Sequence, residues 1–225
     1  MNRPLSLTIA ALFAVLHVCP GLAGAASKAG VANFYFRNSP ETLIRLYEDP
    51  NREKWQKPLQ VVERLSIQPG EVVADIGAGT GYFSILLAKE VGRHGTVYAV
   101  DIDRNMTEYV KLRAKKEGLT NVRALLAKED DPLLARESTD LVFTCNTYMF
   151  IQNRVRYLSR LKDVLKQNGR LAIISYNQVD SPEGPPIHTR VSREETVREA
   201  LEAGFMLDAE YFFLPYQHFL IFKKR

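Results

Sequence analysis

Gly77, Gly79 and Gly81 stand at alternate positions directly after the apolar run Val72–Ile76 and directly before a helical stripe, Phe83, Leu86, Leu87 and Val91. No other feature constrains the chain as much. A strand that turns through glycines into a helix opens a βα unit, and parallel sheets are built from such units. Glycines let a backbone come close to a ligand, and the helix start presents free N–H groups. Dinucleotide folds use G-x-G-x-x-G at this turn to hold a pyrophosphate. Here the third glycine comes one residue sooner, and Asp75 precedes the first by two residues. A carboxylate there repels a pyrophosphate and suits a ligand with a cationic amino end.

The alternation continues along the chain. Thr96–Val100 reads as a strand, followed at once by Asp101, an acid that can accept both hydroxyls of a ribose. Met106, Tyr109 and Val110 mark a helix, and Asn121–Ala127 and Thr139–Cys145 are two further strands. Val155, Leu158, Leu161, Val164 and Leu165 share a helical face that ends before Asn168-Gly169, and Leu171–Ser175 is the fifth strand. Ser192 with Glu195 forms a capping box, opening a helix that runs through Leu201 and stops at Gly204. Only Leu214-Pro215-Tyr216 separates the runs Phe205–Phe213 and Gln217–Lys223, too little for a crossover helix, so these strands must be antiparallel. Upstream, Leu43, Leu46 and Tyr47 have helical spacing. Trp55–Leu65 reads as one helix, with Pro58 near its start and Leu59 and Val62 on one face. The expected fold is α/β: a three-layer, Rossmann-like, seven-stranded sheet, mostly parallel with an antiparallel C-terminal strand.

The first residues follow a different logic. Arg3, the apolar stretch Leu5–Val18 and the small-x-small site Ala23-Gly24-Ala25 describe a secretory signal peptide. The stretch falls short of the roughly 20 residues of a membrane span. Residues 1–26 are therefore expected to direct export, to the periplasm in a bacterium, with an uncleaved N-terminal anchor as the alternative. Cleavage after Ala25 or Ala26 leaves Cys145 as the single cysteine and rules out an internal disulfide. Residues 27–54, which include Phe34-Tyr35-Phe36, form an N-terminal extension to a domain over 55–225. The net charge of +4 is dispersed among acids, with Lys223-Lys224-Arg225 the undiluted run. No basic stripe with stacking aromatics is present, and so no nucleic-acid partner is expected.

Taken together, Val73-Ala-Asp-Ile-Gly-Ala-Gly-Thr-Gly-Tyr-Phe83 resembles motif I of the class I S-adenosylmethionine-dependent methyltransferases, and Val97-Tyr-Ala-Val-Asp-Ile-Asp103 resembles the acidic motif that follows it. The resemblance runs from about Trp55 to the C-terminus and includes the closing antiparallel pair. Glu129-Asp130-Asp131-Pro132, Asp140-Leu-Val-Phe143, Asn146-Thr-Tyr148 and Gly184-Pro-Pro-Ile-His188 are similar to a subgroup of bacterial methyltransferases with an export signal. The resemblance implies S-adenosyl-L-methionine as cofactor. Asp75 would face its methionine amino end, Gly77, Gly79 and Gly81 would line it, Asp101 would bind the ribose, and Glu129 or Asp130 would reach the adenine amino group. No metal is implied.

Ligands of a doubly wound sheet lie beyond the carboxyl ends of its strands. That places Asn146, Thr147 and Tyr148 after strand four, and Tyr176, Asn177 and His188 after strand five. Methyl transfer is an in-line displacement that alignment accelerates, and a base is needed only when the acceptor must lose a proton. Tyr148 is the expected positioner, His188 the expected base, and Asn146 completes the candidate catalytic set. Relatives in the subgroup carry histidines after the tyrosine, where this chain has Met149 and Phe150, so a histidine mechanism at that point is not expected. Trp55, Tyr35 and the N-terminal helices are candidates to cap the site. A small-molecule acceptor is the first expectation. An exported binding protein without turnover, or an NAD-dependent oxidoreductase, are the alternatives.

Overall fold

The computed structural model describes residues 40–225. The expected leader, the extension through Ser39 and its Tyr35 lie outside the described residues. Two short helices come first, α1 (Pro40–Tyr47) and α2 (Arg52–Gln56), then α3 (Pro58–Arg64). The sheet units follow: β1 (Val72–Ile76), α4 (Tyr82–Val91), β2 (Thr96–Asp101), α5 (Arg104–Lys116), β3 (Val122–Leu126), β4 (Thr139–Cys145), α6 (Arg154–Val164) and β5 (Leu165–Tyr176). Helix α7 (Arg193–Glu202) leads to the closing pair β6 (Phe205–Tyr211) and β7 (Gln217–Lys224).

The seven strands lie in the order β3-β2-β1-β4-β5-β7-β6, with β7 antiparallel to both neighbours and the other pairs parallel. The expected fold class holds. Alternation along each strand sends neighbouring side chains to opposite faces. Val73 joins the core under α3 and α4 with Phe83, Leu87 and Phe143, whereas Ala74 and Ile76 join the core under α6 and α7 with Leu158, Leu161 and Phe222. Asp75 shares the period of Val73, and so it points toward α4.

The chain leaves β3 at one edge and re-enters beside β1 as β4, so the order reverses between β1 and β4. Such a switch point opens a crevice outside the strand ends. Because β7 runs backwards, its first residue Gln217 pairs with Tyr176, the last residue of β5. The connection from Phe212 to Tyr216 therefore arrives at the same edge of the sheet as the glycine turn.

Two local expectations are corrected. Trp55–Leu65 is not one helix: Lys57 adopts φ 45° between α2 and α3, with its ammonium donating to the Phe213 carbonyl at 2.8 Å. Leu59 then faces solvent at 73% exposure while Val62 is buried, so the two do not share a buried face. The helix expected to reach Leu165 ends at Val164. Leu165 pairs with Thr139 instead, and Lys166–Gly169 bulge out before Arg170 pairs with Leu141. Ser192 caps α7 as the sequence predicts, accepting from the Glu195 N–H, and the structure adds a second cap, Asp103 accepting from the Asn105 N–H at the start of α5.

Candidate active site

The glycine turn is held from below and crowded from above. The N–H groups of Gly77 and Ala78 both donate to the Val100 carbonyl, which ties the turn to β2. Gly77, Gly79 and Gly81 have φ of 71°, 55° and 75°, where side chains are strained. A Cβ on Gly77 would lie 2.2 Å from the Thr147 hydroxyl, and one on Gly81 would lie 3.0 Å from a Val110 methyl. A Cβ on Gly79 would lie 3.4 Å from the Tyr47 ring, an ordinary contact. The space beside these glycines is taken by protein side chains from β4, α5 and α1, which the motif did not announce.

Two carboxylates flank the turn. Asp75 is 3% exposed, and its Oδ2 accepts from the Ser84 hydroxyl at 2.6 Å. Burial pushes its carboxyl up to about 7, against the opposing pull of Ser84. Asp101 accepts from the Gly79 N–H at 2.8 Å through one oxygen and from the Asp103 N–H at 2.9 Å through the other. Burial raises its carboxyl too, while those N–H groups hold it down. A carboxylate offers about four lone-pair directions, so each oxygen keeps one for a ligand. Ile102, next in the chain, is an exposed apolar side chain beside it. After β3, Glu129 is exposed. Asp130 is exposed and leans on Arg160 at 3.5 Å, while Asp131 takes the stronger 2.6 Å contact.

The candidate catalytic residues separate. Tyr148 is fully buried in a 3₁₀ turn over Tyr148–Phe150, and its hydroxyl donates to Glu199 Oε2 at 2.6 Å. Glu199 is clamped by Arg154 through two 2.7 Å contacts, and burial raises the Tyr148 hydroxyl. This tyrosine is a core strut between β4 and α7, with its ring and hydroxyl closed off from solvent. Asn146 turns inward at φ 62°, its amide donating to Gln56 Oε1 at 3.3 Å and its oxygen accepting from Gln217. Gln56 and Gln217 are themselves buried and bonded to each other at 2.9 Å. Cys145 sits against the same Gln56, its thiol pushed up to about 12 by burial. It is inert packing. His188 alone of the three stands exposed, on the 3₁₀ turn Ile187–Thr189.

Sequence reasoning missed the residue that shapes the β5–α7 loop. Arg190 is 3% exposed and donates to the carbonyls of Asn177, Val179, Glu183 and Pro185 and to the Ser181 hydroxyl. Its guanidinium lies 5.2 Å from the Tyr176 ring centroid. One side chain thus fixes the loop that carries His188. Tyr176 continues into an aromatic wall with Trp55 at 5.9 Å, and Trp55 meets Tyr216 at 6.4 Å. Three distant segments meet there, which no local pattern could reveal.

Three polar atoms around the turn are sealed from solvent without a hydrogen-bond partner: Thr80 Oγ1, the Tyr82 hydroxyl and Arg52 Nε. Orphaned buried groups are uncommon and mark sites where something else completes the bonding. They surround the start of α4, which has no side-chain cap. A ligand with a zwitterionic tail, ribose hydroxyls and a flat base fits this arrangement. Among the described residues no cluster of three metal-ligating side chains occurs, and no helix is long and apolar enough to cross a membrane.

Residues 67–206 match the family described as "Methyltransferase domain". The chain is 34% identical over 106 residues to the aklanonic acid methyltransferase DauC of a Streptomyces species, covering 47% of this chain and 48% of that protein. It is 29% identical over 129 residues to the ubiquinone/menaquinone biosynthesis C-methyltransferase UbiE of Hydrogenovibrio crunogenus, covering 57% of this chain and 50% of that one. The chain thus spans about half the length of these curated relatives. A solved SAM-dependent methyltransferase from Aquifex aeolicus superposes with a TM-score of 0.77 at 28% identity, over 83% of this chain and 98% of that one. With its sheet order, its glycine turn and this match across most of its sheet, the chain belongs to the methyltransferase-domain family and has the fold of the S-adenosylmethionine-dependent methyltransferases.

Proposed function

We propose that the protein transfers a methyl group from S-adenosyl-L-methionine to a small, flat, ring-bearing acceptor of the quinone type. The observation that carries the cofactor half is the pair of carboxylates on either side of one glycine turn, Asp75 buried and Asp101 half-buried. Asp75 suits the ammonium of the amino-acid tail, and Asp101 keeps a free lone pair on each oxygen for the two ribose hydroxyls. Gly77, Gly79 and Gly81 hold the turn beneath the tail. Ile102 offers an apolar face for the adenine, and Glu129 is the acid for its amino group because Asp130 is turned to Arg160. When bound, the cofactor supplies a methyl group on a sulfonium.

The acceptor half is supported by the aromatic wall of Trp55, Tyr176 and Tyr216 and by the names of the relatives, which act in ubiquinone, menaquinone and aklanonic acid methylation. Flat rings stack on such walls. The fixed loop around Arg190 and the Gln56–Asn146–Gln217 anchor keep the wall rigid, so alignment rather than acid–base chemistry supplies most of the rate. His188 is the side chain we assign to take up an acceptor proton. Tyr148 is excluded from contact with the acceptor by its burial, and Asn146 acts through the anchor.

Residues 1–26 support a further reading, export with removal of the leader. Export separates the protein from the cytosolic supply of its cofactor, which favours, as a second reading, a binding protein that no longer turns over. Calorimetry with S-adenosylmethionine and a methyl-transfer assay on a demethylated quinone address both. Micromolar binding that Asp75→Ala and Asp101→Ala each weaken at least tenfold is expected, with methyl transfer to the quinone. Undiminished binding in both variants would sink the cofactor assignment, and tight binding without transfer to any ring acceptor would favour the second reading.

A further inference from the structure

We propose that Arg52 is the receptor for the carboxylate at the amino-acid end of the cofactor, and that this capture fixes the short helix that carries Trp55 into the acceptor wall. The inference rests on the cofactor reading above and extends it to a residue outside the family's glycine and acidic motifs.

Arg52 opens α2 and lies over the start of α4, its guanidinium 4.1 Å from the Tyr82 ring centroid and 5.7 Å from that of Phe83. One terminal nitrogen donates to the Tyr47 carbonyl at 2.8 Å and the other reaches Gln56 Oε1 at 3.5 Å. Its Nε–H is sealed from solvent and has no acceptor. Among the described residues no carboxylate lies within 4.0 Å of it. Asp75 is close enough to interact with it electrostatically yet not in contact, and the Cys145 thiol lies on the same side of the guanidinium, close enough to interact with it as a weak sulfur acceptor. Beside it the Tyr82 hydroxyl and Thr80 Oγ1 are equally sealed and equally unpartnered.

A guanidinium N–H removed from water without an acceptor is costly, and the planar fork of this half-buried arginine matches a carboxylate bidentately. Two opposite charges, Asp75 and Arg52, face one turn without touching. That spacing receives a zwitterion: the ammonium goes to the acid, the carboxylate to the fork, and the two orphaned hydroxyls have an oxygen to bond. Anchoring explains why the arginine is on α2. Gln56, at the far end of the same helix, is fully buried and bonded to Gln217 and Asn146. Between these fixed ends stands Trp55, against Tyr176 and Tyr216. A purely structural arginine bracing Tyr82 would explain the ring contact but would leave the orphaned Nε–H unexplained.

The test compares S-adenosylmethionine with its decarboxylated form, which lacks the carboxylate alone. By calorimetry, the native chain is expected to prefer the intact cofactor by roughly 10- to 100-fold, the range for a charge-assisted pair. Arg52→Gln removes that preference by weakening the intact cofactor and leaves the decarboxylated form within about twofold, and Arg52→Lys restores part of it. Trp55 is the single tryptophan of the chain, so its emission reports on α2 directly. It is expected to shift with the intact cofactor and not with the decarboxylated one. Equal affinity of the native chain for both ligands overturns the assignment and leaves the cofactor reading standing, and this arm needs no variant to fold. An Arg52→Gln chain that weakens both ligands alike, with the preference intact, also overturns it. Binding of neither ligand by the native chain overturns the cofactor reading and this assignment with it.

Discussion

Asp75 shows how much one position in a strand can decide. The period of β1 turns it toward α4, and its place at the last turn of the strand buries it beside Ser84. Burial moves its carboxyl from an ordinary 3.8 to about 7. The folded chain therefore holds a proton that the unfolded chain has lost between about pH 4 and 7, so this residue lowers stability as pH rises through that window. Ligand binding pulls the other way, because an ammonium needs the anion. Affinity for S-adenosylmethionine is expected to fall about tenfold for each pH unit below roughly 7 and to level off above it, with proton release on binding near pH 6. Calorimetry in buffers of different ionisation enthalpy reads both quantities, and a flat profile between about pH 5.5 and 7.5 would refute the assignment. The acid and its spacing were legible in the sequence. Its depth was not, because depth depends on how α4 closes over β1.

At the scale of elements, the glycine turn has a second reason for its composition. Gly77 is glycine because Thr147, arriving from the end of β4, occupies the place of its Cβ, and because φ 71° strains any other residue. Gly77→Ala is expected to cost about 2–5 kcal/mol, from the left-handed backbone and from overpacking together. Thr147→Ala in the same chain should recover part of the packing cost, because it removes the hydroxyl and methyl at 2.2 and 2.3 Å but keeps the Thr147 Cβ at 2.7 Å, and it leaves the backbone part untouched. Thermal unfolding of the single and double variants reads that partial recovery, and a double variant less stable than Gly77→Ala would show that the Thr147 hydroxyl and methyl are not the obstacle. The break at Lys57 is the counterpart in the helices. An eleven-residue apolar pattern reads as one helix, but bending there sends Gln56 into the polar anchor and Val61 into the core. Propensity cannot see that choice, since Lys57 in a left-handed conformation is held by a carbonyl 156 residues away.

For the whole molecule, the antiparallel return of β7 is what completes the crevice. It brings Tyr216 and Gln217 to the end where β5 leaves off, opposite Trp55 and Gln56 from the start of the described chain. The proposed export leader belongs to this scale as well. Expressed in a bacterium with its native N-terminus, the protein is expected in the periplasmic fraction with an intact mass starting at Ala26 or Ser27. A full-length mass in the cytosol would remove the export reading and the tension with cofactor supply.

What the sequence determined by itself were the features written in neighbouring residues: the strand–glycine–helix turn, the acids at Asp75 and Asp101, the cap at Ser192, and the antiparallel close forced by a connection too short for a crossover helix. Local backbone preference and periodicity suffice for these. Only the tertiary structure decided which side chains meet across the crevice. Tyr148 looked like a positioner and became a strut for Glu199, whereas no sequence pattern singled out Arg190, which is buried, or Arg52, whose Nε–H is sealed. A side chain's burial and partners are set by segments far away in the chain, and one-dimensional spacing carries no information about those meetings.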